Sequence, residues 1–350
     1  MNEHVHENQA MSYTIAEEPF TDEGLVEGLY ESHLCSHLWI TLEHGETRAL
    51  RITRDGKTVH LIPYVQENGE FKILLKLFRI DGELLDALTE HIFATHDVDS
   101  ISIDLLASGI RPRKSVITRR LQDFVLALPE SLDDYQKAIG KTTRLQIHKG
   151  INRLEKQFQD FRFRLFEKAE AGADTLNRII DLNHARMHRN HKRSGIDPAY
   201  RNRIIDFSRK YGFVGVSSIG DRIISGSIGY KLNDTLYLAV IAHDSAYDYY
   251  SPGHMTIYMT LVEAIRQKAK KVHMFWGKAD YKLRFGCVPE EYVCLRIFRH
   301  RSRFLVHAGW NAVRMSSLDG LRALKRMLSL WTQWRRELPR SRRCPFRMPK

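Results

Sequence analysis

No stretch of this sequence is apolar for anything near the roughly 18 residues that a bilayer-spanning helix needs. Residues 1–10 also lack the basic-then-apolar layout of a secretion signal. Both absences point to a cytoplasmic protein. Cysteine is scarce: Cys35, Cys287, Cys294 and Cys344 are the whole complement in 350 residues, and no two of them form a C-x-x-C pair. That argues for reduced thiols and against a disulfide framework or a zinc site. His184 and His188 are four apart on one expected helix, but no glutamate neighbours them and no third ligand stands at a known spacing, so no metal is expected. Acidic residues are rare in one region. Positions 296–350 hold 15 Lys and Arg against 2 Asp and Glu, a charge of +13, whereas the remaining 39 basic and 40 acidic residues nearly cancel. The body is neutral and the tail is basic, so the tail is the part that seeks an anionic partner.

The length allows two domains or one duplicated core, and a hydrophobic content of 43% suits a soluble globular chain. Residues 1–35 are polar and weakly patterned and read as a flexible N-terminus. Strands are expected over 49–53 and 59–65, joined at Asp55-Gly56, and over 71–77 after Asn68-Gly69. A helix over 82–95 and a strand over 100–105 complete this unit. The same order recurs with strands over 213–219, 223–230 and 235–242, then a helix and a short strand, which reads as an internal duplication. Between the copies, short and long helices are expected over 132–139 and 141–158, then a strand over 161–166 and a helix over 173–190. This divides the chain into 1–35, a degenerate first unit 36–128, a second unit 129–300 and a basic tail 301–350.

The second copy contains the stretch that carries chemistry. Ser251 is a good N-cap and Pro252 a good first helical residue, which leaves the amides of Gly253, His254 and Met255 without intrahelical partners. Amides at the positive end of a helix dipole bind phosphate. The helix is expected over 253–270 and a strand over 272–276, with Asp280, Tyr281 and Lys282 just beyond. In the first copy Asp81 stands at the helix start, where a carboxylate repels phosphate. The second copy should therefore hold the site. Arg144, one turn into its helix, can grip a carboxylate or phosphate with two parallel hydrogen bonds.

Leu128-Pro129, Lys141-Thr142-Thr143-Arg144, Tyr250-Ser251-Pro252-Gly253 and Asp280-Tyr281-Lys282-Leu283-Arg284-Phe285 occur in that order. Together, over residues 39–300, they resemble the CelD-like acyltransferases of the GNAT superfamily, which are similar to the Fem-type aminoacyltransferases with two GNAT-like domains in one chain. The resemblance implies an α+β (mixed α/β) architecture: a duplicated GNAT-like fold of two β-meander/helix/strand units with mixed central sheets. It implies acetyl-CoA or another acyl-CoA as co-substrate, with no permanently bound cofactor. The donor would lie in a gap between the strand over 235–242, against Val240 and Ile241, and the strand at 272. Its pyrophosphate would sit at Ser251, Gly253, His254 and Met255. The acyl group would pass directly to an amine or hydroxyl of a sugar, glycan precursor or amino-acid-like acceptor, in cell-envelope or exopolysaccharide biosynthesis. Ser251-Pro252-Gly253 replaces the glycine-rich signature of typical GNAT enzymes, and Fem-type relatives draw on aminoacyl-tRNA, so that donor stands as the alternative.

In such a reaction Lys282 would place a positive charge near the developing oxyanion. Tyr281, a phenol with an ordinary pKa of about 10, would protonate the departing thiolate. Asp280 or Asp244 would take the proton from the amine. The competing structural readings are a helix cap for Asp280, a core aromatic for Tyr281 and a surface position for Lys282. Arg144, Arg186, the loop at Lys192 and Tyr250 are the expected acceptor walls. In the tail, 318–338 reads as a helix with leucine and tryptophan on one side and arginine on the other. It suits an anionic membrane surface, a seat on the body, or, in a non-catalytic reading, RNA.

Overall fold

A computed structural model of the chain describes residues 4–6, 13–110, 112–277 and 280–310. The helix expected over 318–338, the rest of the tail past 310, and Cys344 lie outside the described residues.

The first strands, β1 (His4–His6) and β2 (Tyr13–Pro19), pair antiparallel. Helices α1 (Glu23–Leu29) and α2 (His37–His44) follow, each capped by a side chain, Asp22 and Ser36. Residues 13–35 are therefore folded, which corrects the expectation of a flexible stretch over 1–35. Tyr13, Ile15, Val26, Tyr30 and Cys35 are buried in the core of the first half. Their spacing among acidic residues lets each short element bury one face while its sequence as a whole looks polar.

β3 (Arg48–Arg54) and β4 (Lys57–Glu67) join at Asp55-Gly56, and β5 (Glu70–Ile73) follows Asn68-Gly69. All four turn residues have positive φ, 51° and 74° in the first turn and 51° and 72° in the second, as a tight two-residue hairpin requires. α3 (Gly82–Thr95) crosses over, and β6 (Ser100–Ala107) returns parallel to β5. Next come β7 (Ser115–Ala127), α4 (Leu132–Ala138), α5 (Lys141–Gln157), β8 (Phe161–Glu167), α6 (Ala173–Arg189) and α7 (Pro198–Tyr211). The first order then recurs. β9 (Gly212–Ile219), β10 (Arg222–Leu232) and β11 (Thr235–His243) form a meander, α8 (Pro252–Arg266) crosses over, and β12 (Lys271–His273) lies parallel to β11. α9 (Asp280–Arg284) and β13 (Val288–Phe298) follow, and residues 301–310 are helical.

The duplicated α+β order is thus present, but the two meanders share one sheet. β13 pairs with β6 on one side and β7 on the other, while β7 also pairs with β12. Among the described residues the result is a 13-stranded mixed sheet in the order β1-β2-β3-β4-β5-β6-β13-β7-β12-β11-β10-β9-β8. The strand that ends the first sequence unit is bonded into the second, and the strand that ends the second is bonded into the first.

In the second half, Ile179 and Ile180 of α6 and Phe207 of α7 belong to one core cluster, and Ile257, Leu261 and Ile265 of α8 belong to another. α8 lies unusually close to the strands. Ser217 and Thr256 share a hydrogen bond of 2.7 Å, and Ser227 and Thr260 one of 2.9 Å, all four residues being buried. A Cβ on Gly215 would stand 2.1 Å from the Thr260 hydroxyl. Small residues on the strands thus set the height of α8, and with it the place of the helix start.

Candidate active site

β11 has nine residues and β12 three, and on the β12 side only Thr235–Tyr237 of β11 find partners, at Lys271–His273. Past His273 the chain stays bonded to β7, with the Met274 amide donating to the Phe124 carbonyl at 2.8 Å. The far half of β11 therefore loses its neighbour and a gap opens. A bulge falls at the same place: Val240 pairs with Ile228 and Leu238 with Gly229, so Ala239 is left over. Val240 is buried in the cluster that holds α6 and α7, and Ile241 packs on the cluster under α8. The first copy has no such gap. There the Leu77 amide donates to Leu105 and the Ala107 amide to Phe78, both at 3.0 Å, closing the space beyond β5. Asp81 also occupies the start of α3, accepting from the Leu84 amide at 2.7 Å.

At the start of α8 the arrangement differs from the simple cap expected. Ser251 has φ 55° and ψ 47°, and its side chain makes no capping bond. Its carbonyl instead accepts from the amides of His254 at 3.1 Å and Met255 at 3.3 Å. The expectation that those two amides are free is corrected: the Met255 bond is the ordinary first i→i−4 bond of a helix that begins at Pro252, and the His254 bond is a tighter i→i−3 contact to the same carbonyl. Pro252, Gly253 and Met255 are buried. A Cβ on Gly253 would lie 3.0 Å from His243 Nδ1, so glycine lets the end of β11 rest on the helix start.

A cleft of about 400 Å³ opens here between α5, the turn Ser245–Tyr250, the start of α8, and α9. Lys149 and Arg153 of α5 and Arg284 of α9 supply positive charge, and Thr143, Tyr250, Ser251 and Tyr281 supply hydroxyls. α5 approaches the turn closely because of Gly150, where a Cβ would stand 2.6 Å from the Tyr250 carbonyl. The Tyr250 hydroxyl donates to Gln157, and the Arg153 guanidinium lies 4.8 Å from the Tyr249 ring centre.

Tyr281 lines the cleft, its ring 5.9 Å from that of His254. Burial pushes its phenol up to about 12, against the pull of the Arg186 charge nearby. Burial lowers the pKa of Arg186 in turn, and its Nε is buried without a hydrogen-bond partner among the described residues. His254 is held below the usual imidazole range by burial and by the charges of Arg284 and His243. Lys282 is 1% exposed, which excludes a surface position, and it does not line the cleft. Its ammonium donates to the carbonyls of Phe275 at 2.6 Å and Trp276 at 2.9 Å, in the loop after β12, and lies 5.0 Å from the Phe124 ring centre. Burial brings its pKa down to about 8.

Asp280 is exposed at the start of α9. Asp244 is engaged elsewhere, accepting from Arg222 at 2.7 Å and from the Ala246 amide at 3.0 Å. Arg144 does not reach the cleft; its guanidinium donates to the Gln136 carbonyl at 2.8 Å and ties α5 to α4. Lys149, Gly150 and Arg153 were not singled out from sequence, where the charges of α5 read as a solvated face. The glycine in the middle of that helix was the available signal. Among the described residues no group of three His, Cys, Asp or Glu side chains is placed to hold a metal ion.

The family described as acetyltransferase (GNAT) domain matches residues 141–283, from the first residue of α5 into α9. Among curated proteins no sequence matches the chain at a significant level. Among solved structures, FemX superposes with a TM-score of 0.59 at 10% identity, covering 83% of this chain and 99% of FemX. A conserved protein of unknown function from Bacteroides thetaiotaomicron VPI-5482 gives 0.51 at 15% identity, covering 79% of this chain and 97% of that one. L-PGS from Bacillus licheniformis gives 0.50 at 11%, covering 83% and 96%. At these identities the likeness is one of fold, and it spans nearly the whole of each of those chains. Residues 141–283 thus match a GNAT acetyltransferase domain, and the chain as a whole shares the fold of FemX.

Proposed function

We propose that the protein moves an acyl group, acetyl in the simplest case, from acyl-CoA to an amine or hydroxyl of a sugar, glycan precursor or amino-acid-like acceptor. A GNAT domain uses acyl-CoA as co-substrate and keeps no permanent cofactor. The observation that carries the reading is the gap beside β11 in the same half-sheet as the cationic cleft at the start of α8. In it the pantetheine arm runs along Val240 and Ile241, and the pyrophosphate meets Lys149, Arg153 and Arg284 near Ser251 and Gly253. These cations replace part of the amide cradle that the Ser251 carbonyl takes up. His254 and Met255 contribute as walls of the site.

The acceptor amine attacks the thioester carbonyl, the carbon–sulfur bond breaks, and the sulfur leaves as the thiolate, which takes its proton from solvent. Tyr281, kept protonated by burial, donates a hydrogen bond to that sulfur. Lys282 fixes the loop 275–276 at the mouth of the gap and adds a positive field where the oxyanion forms. Asp280, exposed at the start of α9 and next to Tyr281 in the chain, accepts the proton of the amine. Arg186, beside Tyr281 and with Nε unpaired, and Tyr250 face the acceptor, which therefore carries an anionic group. Arg144 is left out of this set because its guanidinium is already engaged. The basic tail holds the protein at an anionic membrane face, where envelope precursors are found; among the described residues no helix is long and apolar enough to cross a membrane.

The test is thermal unfolding with coenzyme A and acetyl-CoA, followed by mass spectrometry of amino sugars and amino acids incubated with both. A ligand at a hundred times its Kd adds about 2.7 kcal/mol of stability. The double variant Arg153→Ala/Arg284→Ala should lose that shift. No shift in the unaltered protein, with stabilisation by aminoacyl-tRNA in its place, would replace the thioester by the ester donor in the same cleft.

A further inference from the structure

Behind the mouth of the gap lies a buried polar pair that the reaction above does not use. Asp123 of β7 is 1% exposed and His273, the last residue of β12, 6%. His273 Nδ1 and Asp123 Oδ2 are 2.5 Å apart. The other two polar atoms, Asp123 Oδ1 and His273 Nε2, are buried with no hydrogen-bond partner among the described residues. The His273 ring stacks on Tyr237 of β11 at 4.8 Å, which fixes the imidazole at the last paired position before the strands part. A buried carboxylate with an unpaired oxygen is stable only where positive charge stands near it.

Among the described residues, the groups that face this pair leave one source for that charge besides His273. Burial lowers the pKa of His33, which neighbours His273. It raises those of Tyr237 and Tyr292, and pushes the Cys287 thiol up to about 12. All four are neutral around pH 7. Glu290, opposite Asp123 on β13, turns away to Arg79 and Tyr292. Lys282 is the cation that remains, its ammonium by the ring of Phe124, next to Asp123 in the chain, with two of its three protons spent on the Phe275 and Trp276 carbonyls.

We propose that Asp123, oriented by His273, is a positioning residue whose carboxylate is the counter-charge that keeps the Lys282 ammonium protonated and seated on those two carbonyls. The proposal rests on the role given to Lys282 above. Alternation along β7 turns Asp123 to the sheet face opposite Phe124, so its charge acts across the strand as a field and makes no direct bond to the ammonium.

The experiment is a pH titration of the full chain labelled with isotope at the lysine side chains, the Lys282 signal being identified by its loss in Lys282→Arg. In the unaltered protein Lys282 should change state near pH 8. In Asp123→Asn the midpoint should fall by about one unit, a tenfold change in the protonation constant. Asp123→Leu, an apolar replacement of the kind buried ionic groups often tolerate, should do the same if the asparagine variant fails to fold. An unmoved midpoint in a folded Asp123 variant would overturn the proposal, whereas His273→Asn, which keeps a donor for Asp123, should leave the midpoint where the unaltered protein has it. The alkaline limb of kcat should move with the midpoint while KM for the donor stays constant. A midpoint that moves without the limb supports the counter-charge and overturns the part given to Lys282 in turnover.

Discussion

Lys282 combines a charge with nearly complete burial, and its effect on pH dependence follows in sign from that. Its pKa is depressed to about 8, so the ammonium is present below that value and lost as the pH rises through it. Turnover that needs the charge should fall above pH 8. Lys282→Ala should reduce kcat on the order of a hundred-fold or more. It should also cost roughly 1–3 kcal/mol for each buried carbonyl left unpaired, read as a lower Tm. Unchanged turnover would remove Lys282 from the mechanism. The residues of this stretch were legible in the sequence as a tyrosine and a lysine just past a short strand. That the lysine turns inward to Phe275 and Trp276 was not, because its two partners are backbone atoms, which no side-chain pattern announces. The cations of α5 escaped for a related reason: Lys149 and Arg153 resemble any other solvated charges until the helix start they face is known.

α5 carries a glycine where a helix would prefer alanine by about 0.5–1 kcal/mol. Elsewhere in a helix Gly150→Ala would stabilise. Here the new Cβ would meet the Tyr250 carbonyl, a backbone atom, at 2.6 Å. The substitution should instead lower Tm and raise KM for the donor several-fold, since it pushes α5 off the turn that walls the cleft. A higher Tm with unchanged KM would show that the approach is not needed. The meander strands were recoverable because Asp55-Gly56 and Asn68-Gly69 need positive φ and sit between alternating apolar runs. β7 and β13 were missed, since Arg119, Arg120 and Gln122 in one and Glu290 and Glu291 in the other break their apolar pattern at the edge of the buried region. α7 was passed over although Asp197 and Pro198 mark its start plainly.

At the scale of the whole molecule, the exchange of β7 and β13 couples the two halves more tightly than a duplicated sequence implies. A fragment covering 129–350 lacks β7, and with it the neighbour of both β12 and β13. It should be insoluble or show circular dichroism of a partly unfolded chain, and coexpression with 1–128 should recover the native spectrum. A well-folded fragment would show that the exchanged strand is dispensable. The repeated order of elements was visible in the sequence, whereas the pairing of positions as distant as Ser100 and Phe298 was not, because such register is decided by which edges are left open after each half has formed.

That pairing also orders events in time. Synthesis runs from the N-terminus, so β6 and β7 emerge from the ribosome long before the strand that will separate them. Until residue 298 has left the exit tunnel, two strands carrying buried apolar side chains wait with unsatisfied edges. The nascent chain is therefore a natural client for chaperones until β13 has been made and has closed both edges.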